Sequence, residues 1–228
     1  MSEPRRVLLV GATGMVGQAV MQAAVGRDDL RIVALGRRAA AMPVGARMEQ
    51  LVAAPAQWPA AIAAIRPDAV ILALGTTIAA VGGDKAAFRA VDHDLALSCA
   101  KAAHDAGARQ AVLVSSVGAD PAAKLFYAAV KGETEADLGK LDFARLDILR
   151  PGLLVGRREG PLRLGERIGM TVLPLLGPLL AGRFSDYRSI RASTVAAAAL
   201  ACLGADAAAS ARMTIHTGRE IHRLAQRG

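Results

Sequence analysis

The chain has 228 residues, 53% of them hydrophobic and 21% charged, a balance that supports a substantial buried core and excludes a disordered or fibrous protein. The net charge of +8 points toward acidic surfaces or nucleic acid, but the arginines are scattered and no block of like charge occurs. With only 3% aromatic residues there is little to stack on bases, so a basic enzyme is expected rather than a nucleic-acid binder.

The segment MSEPRR leads straight into an apolar run, without the apolar stretch and cleavage site of a signal peptide, and a cytoplasmic protein is expected. Strands are then predicted near 6–10, 31–35, 47–52, 69–74, 110–115 and 144–149, with helices near 15–25, 55–65, 84–106 and 123–139. This βαβ succession predicts a doubly wound parallel sheet covered on both faces. Continuous apolar runs such as Ala69-Val70-Ile71-Leu72-Ala73-Leu74 agree, because strands buried on both faces need not alternate in polarity. Beyond residue 150 the alternation fades into glycine- and proline-rich sequence, followed by a helix from about Ser193 to Leu203 and a last strand at Met213 to His216. No linker separates a second domain, so residues 1–228 are expected to form a single unit in which 151–191 is a small cap over the substrate. The most apolar stretch, 168–181, is too short for a membrane span and is interrupted by Pro174, Gly177 and Pro178. Cys99 and Cys202 lie in alanine-rich helical sequence and read as buried free thiols.

Ligands of such sheets sit outside the carboxyl ends of the strands, and every chemical motif falls there. GATGMVG, Gly11 to Gly17, follows the run Val7-Leu8-Leu9-Val10 and opens a helix near Met15, an arrangement that aims backbone N–H groups at an anion, a dinucleotide pyrophosphate being the usual guest. Gly11 would make the turn, Gly14 would let the phosphate approach and Gly17 would let helix pack on strand, with Thr13, Met15 and Val16 completing the loop. About twenty residues on, the second strand ends in Gly36-Arg37-Arg38, where an acid would hold both ribose hydroxyls and a guanidinium matches a 2′-phosphate. NADP(H) is therefore expected over NAD(H), with Arg37 and then Arg38 as its contacts. Gly75, Thr76 and Thr77 close the fourth strand, where they would serve phosphate or ribose or simply form a turn. Ser115 and Ser116 close the fifth, with Ser115 expected among the cofactor contacts. Tyr127 and Lys131 follow at i and i+4 on one helix face, so that the ammonium favours the phenolate, the phenol exchanges a proton and Ser116 orients a carbonyl or alcohol. The histidines, His93, His104, His216 and His222, show no metal-site spacing, and no metal is expected.

With these motifs in order, and with YAAVKGETEADL, LRPGLLVGRREG, RSIRASTVAAAAL and REIHRLA beside them, the chain resembles the atypical branch of the short-chain dehydrogenase/reductases. Within it the likeness is to the Tat-interacting, tumour-suppressor-like group and its bacterial relatives. The resemblance implies a Rossmann-like domain binding NADP(H), with Ser116, Tyr127 and Lys131 as the catalytic serine, tyrosine and lysine, and with Pro151 and Gly152 beside the nicotinamide. Two positions depart from the pattern. Asp92 stands where classical members carry a proton-relay asparagine, and Leu51-Val52-Ala53-Ala54 offers no acid to the adenine. The function expected is an NADP(H)-dependent oxidoreductase acting on a small carbonyl or alcohol, as monomer or homodimer. An NADP(H)-binding regulator and a sugar-nucleotide epimerase or dehydratase are the alternatives.

Overall fold

The computed structural model describes residues 3–156, 187–204 and 212–227. Seven parallel strands form the central sheet: β1 (Arg5–Val10), β2 (Leu30–Gly36), β3 (Glu49–Val52), β4 (Ala69–Leu72), β5 (Gln110–Val114), β6 (Arg145–Leu149) and β9 (Met213–His216). Their order across the sheet is β3-β2-β1-β4-β5-β6-β9, so the winding reverses between β1 and β4 and opens a crevice at the carboxyl ends of those strands. A separate parallel pair joins β7 (Leu154–Val155) to β8 (Ile190–Arg191), linking the two ends of the segment expected to be the cap. Most of that segment, 157–186, lies outside the described residues.

Alternate residues of each central strand enter two different cores, which is why the strands read as unbroken apolar runs. Val7 and Leu9 point to one face, where α1 (Met15–Ala23), α6 (Ala192–Gly204) and α7 (Gly218–Ala225) pack through Val20, Met21, Val195, Leu200 and Ile221. Leu8 and Val10 point to the other, against α2 (Trp58–Ile65), α4 (Ala96–Asp105) and α5 (Phe126–Leu138) through Trp58, Ile62, Ala100 and Leu138. The alanines of α6 let it lie close to the sheet, since Ala192, Ala196, Ala198 and Ala199 are all buried.

The predicted strands and helices form with small changes of boundary, except at 84–106. There α3 (Lys85–Arg89), started by the Asp84 carboxylate accepting from the Ala86 and Ala87 N–H groups, runs into a π-helical turn, Ala90–Leu95, before α4 begins. The wider turn shifts the helix phase by a residue, and the successive residues Asp92 and His93 both become buried. The Thr134 hydroxyl of α5 lies between two carbonyls, Val130 of its own helix at 2.7 Å and Asp92 of the π turn at 3.2 Å.

Candidate active site

The loop after β1 passes directly over the end of β4. Gly11 has φ +98°, and a Cβ there would lie 2.8 Å from the Leu74 nitrogen, so both conformation and space require glycine. Gly14 caps α1 with an ordinary extended backbone, φ −82° and ψ 166°, and its N–H donates to the Gly11 carbonyl at 3.0 Å. No side chain caps the helix and no acid stands in its first turn, so the leading N–H groups remain available to an anion. A Cβ on Gly14 would lie 3.3 Å from the Gly11 oxygen, with open space otherwise toward the crevice apart from the Ala73 oxygen at 3.9 Å. Gly17 is different: a Cβ would overlap the Gly11 carbonyl and stand 2.7 Å from Ala12 Cα. Thr13 is half-buried, Val16 joins the core, and the Met15 sulfur faces Gly156 after β7.

Arg37 and Arg38 follow the last residue of β2 and are exposed, with no ion-pair partner among the described residues. At the neighbouring end of β3, Leu51 and Val52 are exposed and apolar. The loop after β4 is committed in part to its own structure. The Thr76 N–H donates to Asp92 Oδ2 at 2.8 Å, and the Thr77 hydroxyl accepts from the Ala80 N–H at 3.0 Å to start a short 3-10 turn. Gly75 lies beside Asp92, its would-be Cβ 3.8 Å from Oδ1.

The loop between β5 and α5 is drawn onto the helix at Gly132, where a Cβ would lie 2.6 Å from Asp120 Cα. That close approach, with the Asp120 N–H bonded to the Ala128 carbonyl, brings the Ser116 segment alongside the first turns of α5. Tyr127 is 39% exposed, its ring packed at 5.6 Å on Phe88 of α3. Lys131, one turn on, is buried, and its Nζ lies 2.7 Å from Asp92 Oδ1. The contact is a buried charge pair. Ser116 is half-buried, with only a long 3.4 Å contact from its hydroxyl to the Val117 carbonyl. The hydroxyl of Tyr187 comes against Gly118, which has φ +79°.

The two serines do different work. Ser115 is buried and gives its hydroxyl to Glu135 of α5, which also takes a forked ion pair from Arg150. Backbone bonds from Ser115 N to Leu149 O and from Val117 N to Pro151 O, 2.8 and 2.9 Å, tie the loops after β5 and β6 together and fix Pro151 and Gly152 at this edge. Arg150 stands in the Arg150-Pro151-Gly152 loop that the resemblance sets beside the nicotinamide, but its pairing with Glu135 is not visible in sequence, because nothing in spacing shows that helix and strand meet there.

A second buried cluster lies on the α6 face. Asp147 is held by Arg145 at 2.5 and 2.9 Å and by His216 Nε2 at 2.8 Å, with Cys202 in the same group. Burial alone raises the Asp147 pKa, but the bonds from His216 and Arg145 outweigh it and hold the carboxyl below its ordinary range. Burial, with the Asp147 charge adding to it, pushes the Cys202 thiol up to about 12. Asp147, Cys202 and His216 come close enough to hold a metal ion, a grouping from three elements that histidine spacing could not reveal. The guanidinium already engages both carboxylate oxygens and the thiol is protonated, so the cluster is a paired buried charge.

Similarity to known proteins agrees with this architecture. A protein of Eremothecium gossypii named FMP52, mitochondrial, is 41% identical over 180 residues, 78% of either chain. Among solved structures, an oxidoreductase of the short-chain dehydrogenase/reductase family from Burkholderia thailandensis superposes with a TM-score of 0.71 at 24% identity, covering 95% of this chain and 92% of its own. The UDP-glucose 4-epimerase of Thermotoga maritima superposes with a TM-score of 0.69 at 13% identity, covering 97% and 81%. At those identities the structures speak to the shared Rossmann-like fold. The mitochondrial name carried by the FMP52 protein overturns the expectation of a cytoplasmic protein, which rested on the lack of a signal peptide, a feature blind to other destinations. Among the described residues no helix is long and apolar enough to cross a membrane. Residues 11–172, from the glycine loop past the β6 end, match the NAD(P)H-binding family, and the chain belongs to it.

Proposed function

We propose that the protein is an NADP(H)-dependent oxidoreductase of the atypical short-chain class, reducing a small carbonyl or oxidising the corresponding alcohol. The observation that supports this reading is the placement of Ser116 just after β5 and of Tyr127 and the buried Lys131 in the first turns of α5, in a sheet that also bears the uncapped α1 N-terminus. Gly11 and Gly14 leave a cradle that a Cβ would narrow, and the free first-turn N–H groups suit a pyrophosphate. The cofactor, when bound, supplies or accepts the hydride. Ser116 would hold the substrate oxygen, and Tyr127, 39% exposed, would exchange its proton with that oxygen. Lys131 would hold a ribose hydroxyl and favour the phenolate. Arg37 and Arg38, exposed beyond β2 where no acid competes, suit a 2′-phosphate. The likeness to the Tat-interacting group rests on the same motifs.

The test is a thermal-shift comparison of NADPH with NADH, followed by a panel of aldehydes and ketones with NADPH consumption as the readout. Stabilisation by NADPH at lower concentration than NADH, with turnover on part of the panel, is the expected result. NADPH binding with no turnover would favour a cofactor-binding regulator. Tight retention of NAD with interconversion of nucleotide sugars would favour an epimerase.

A further inference from the structure

We propose that the cavity at the amino edge of the central sheet is a second anion site, which holds a phosphate-bearing molecule through Arg66 and Arg109 with Arg5 and Arg6 adding charge. It lies at the opposite end of the strands from the glycine loop and is independent of the oxidoreductase reading.

Arginines that are scattered along the sequence are gathered here by the fold. Arg5 and Arg6 open β1, Arg66 follows the last residue of α2, and Arg109 precedes β5. All four line one cavity of about 610 Å³, within the range of small-molecule sites. The Asp68 N–H donates to the Arg6 carbonyl at 2.8 Å and the Arg109 N–H to the Asp68 carbonyl at 3.0 Å, so the entries to β1, β4 and β5 stand side by side. The six residues of β1, roughly 17 Å at the rise of a parallel strand, separate the cavity from the turn at Gly11.

Four guanidiniums share this lining with two carboxylates, Glu3 and Asp68, an excess of two positive charges. Asp68 Oδ2 accepts the Arg6 backbone N–H at 2.7 Å, a bond that cancels no side-chain charge. Arg5 donates to the Leu203 carbonyl and, at 2.7 Å, to Oε1 of the buried Gln110, while Arg6 donates to the Ile65 carbonyl at 2.7 Å. These neutral acceptors fix two guanidiniums in advance and leave them charged. Ile65 ends α2, so Arg6 already answers the partial negative charge of that helix end. Arg66 and Arg109 are exposed, and among the described residues their guanidiniums have neither an ion pair nor a hydrogen bond.

The backbone gives no reason for an arginine at position 66. It has φ +49°, the left-handed conformation that closes α2, where glycine or asparagine fits at less cost. What arginine adds is a planar fork of donors, which matches two oxygens of one phosphate. A phosphate ester carries a charge of about −1.5 to −2 at neutral pH, close to the excess on the lining. Concave walls concentrate that field, so the cavity attracts such an anion more strongly than the same arginines would on a flat surface.

The experiment titrates inorganic pyrophosphate into the full chain by calorimetry at about 0.15 M salt, where screening removes diffuse attraction. Wild type is compared with the double variant Arg66→Asn/Arg109→Gln and with Gly14→Val, which closes the glycine loop instead. Asparagine accepts the left-handed backbone and both side chains are exposed, so the double variant should fold; if it melts early, each single variant carries the comparison. Pyrophosphate affinity is expected to fall at least about tenfold in the double variant and to persist in Gly14→Val, with NADPH affinity of the double variant changed by less than about twofold. Sedimentation with phosphatidylcholine vesicles containing phosphatidic acid identifies the source of the phosphate. Sedimentation that needs the two arginines assigns it to a lipid head group, and pyrophosphate binding without sedimentation assigns it to a soluble ester. Responses that the double variant leaves unchanged, a loss confined to Gly14→Val, or no response to either probe would overturn the proposal. Absence of carbonyl turnover would count against the oxidoreductase reading alone and leave this result standing.

Discussion

Gly14 and Gly17 stand three residues apart in one loop, yet the structure separates what each glycine is for. Gly14 has an extended backbone open to any residue, and an added Cβ meets only the Gly11 oxygen at 3.3 Å and the Ala73 oxygen at 3.9 Å. Gly14→Ala therefore needs a shift of a few tenths of an ångström and should cost no more than about 1 kcal/mol of stability. The same methyl stands over the first-turn N–H groups, where a pyrophosphate must approach within hydrogen-bond distance. Weakening one or two charge-assisted bonds, each contributing about 1.5–3 kcal/mol, corresponds to a loss of NADPH affinity of roughly tenfold to a hundredfold or more, larger for Gly14→Val. At Gly17 the added Cβ overlaps backbone that cannot rotate away, so Gly17→Ala should destabilise the fold by about 2–3 kcal/mol even after the helix-propensity gain of alanine. For a chain of this size that lowers Tm by several degrees. Thermal melting without cofactor and titration of nicotinamide fluorescence read the two effects separately. A folded Gly14→Val protein with unchanged NADPH affinity would refute the phosphate-loop assignment.

Arg37→Glu should weaken NADPH binding by about 1.5–3 kcal/mol while leaving NADH nearly unaffected, as read by competitive titration; equal losses for both would remove Arg37 from the 2′-phosphate. The Asp147 carboxyl is held low by His216 and Arg145 against its burial, so its stabilising contribution is fully present above about pH 4 and is lost as pH falls through its lower folded value. Chemical denaturation across pH 2–7, roughly the span of carboxylate titration, should show a steeper acid loss in wild type than in Asp147→Asn, which is itself weaker at neutral pH because Arg145 is left buried without its partner. Burial pushes both Cys99 and Cys202 up to about 12, so neither thiol should react with a thiol reagent at neutral pH until the protein unfolds; fast labelling of folded protein would contradict their burial.

The parallel sheet was readable from sequence because β1, β4 and β5 are apolar on both faces, a pattern that only a doubly covered sheet explains. The glycine loop was readable for a related reason, since strand, turn and helix follow one another within a few residues. What escaped the sequence arises between elements distant along the chain. The π-helical turn sits inside an alanine-rich run that gives no local sign of a phase change, and the part of α5 it packs against, at Thr134, lies 42 residues away. The departure at Asp92 was visible as a residue type, but its pairing with Lys131 needed the helix phase to be known. Ser115 and Ser116 look alike in sequence, and only the placement of Glu135 and Arg150 shows that the Ser115 hydroxyl is buried in a network while Ser116 stays half-buried outside it. The strands β7 and β8, two residues each, are too short to carry a period of their own.

The central claim is that Tyr127 moves a proton during NADPH-dependent turnover, and Tyr127→Phe tests it most directly. The ring keeps its packing on Phe88 and only the hydroxyl is lost, so fold and cofactor affinity should survive. On a carbonyl that the wild-type protein accepts, kcat should fall by roughly a hundredfold or more while the NADPH Kd changes less than about twofold. Turnover by Tyr127→Phe at the wild-type rate, measured by NADPH consumption on the same substrate, would contradict the account.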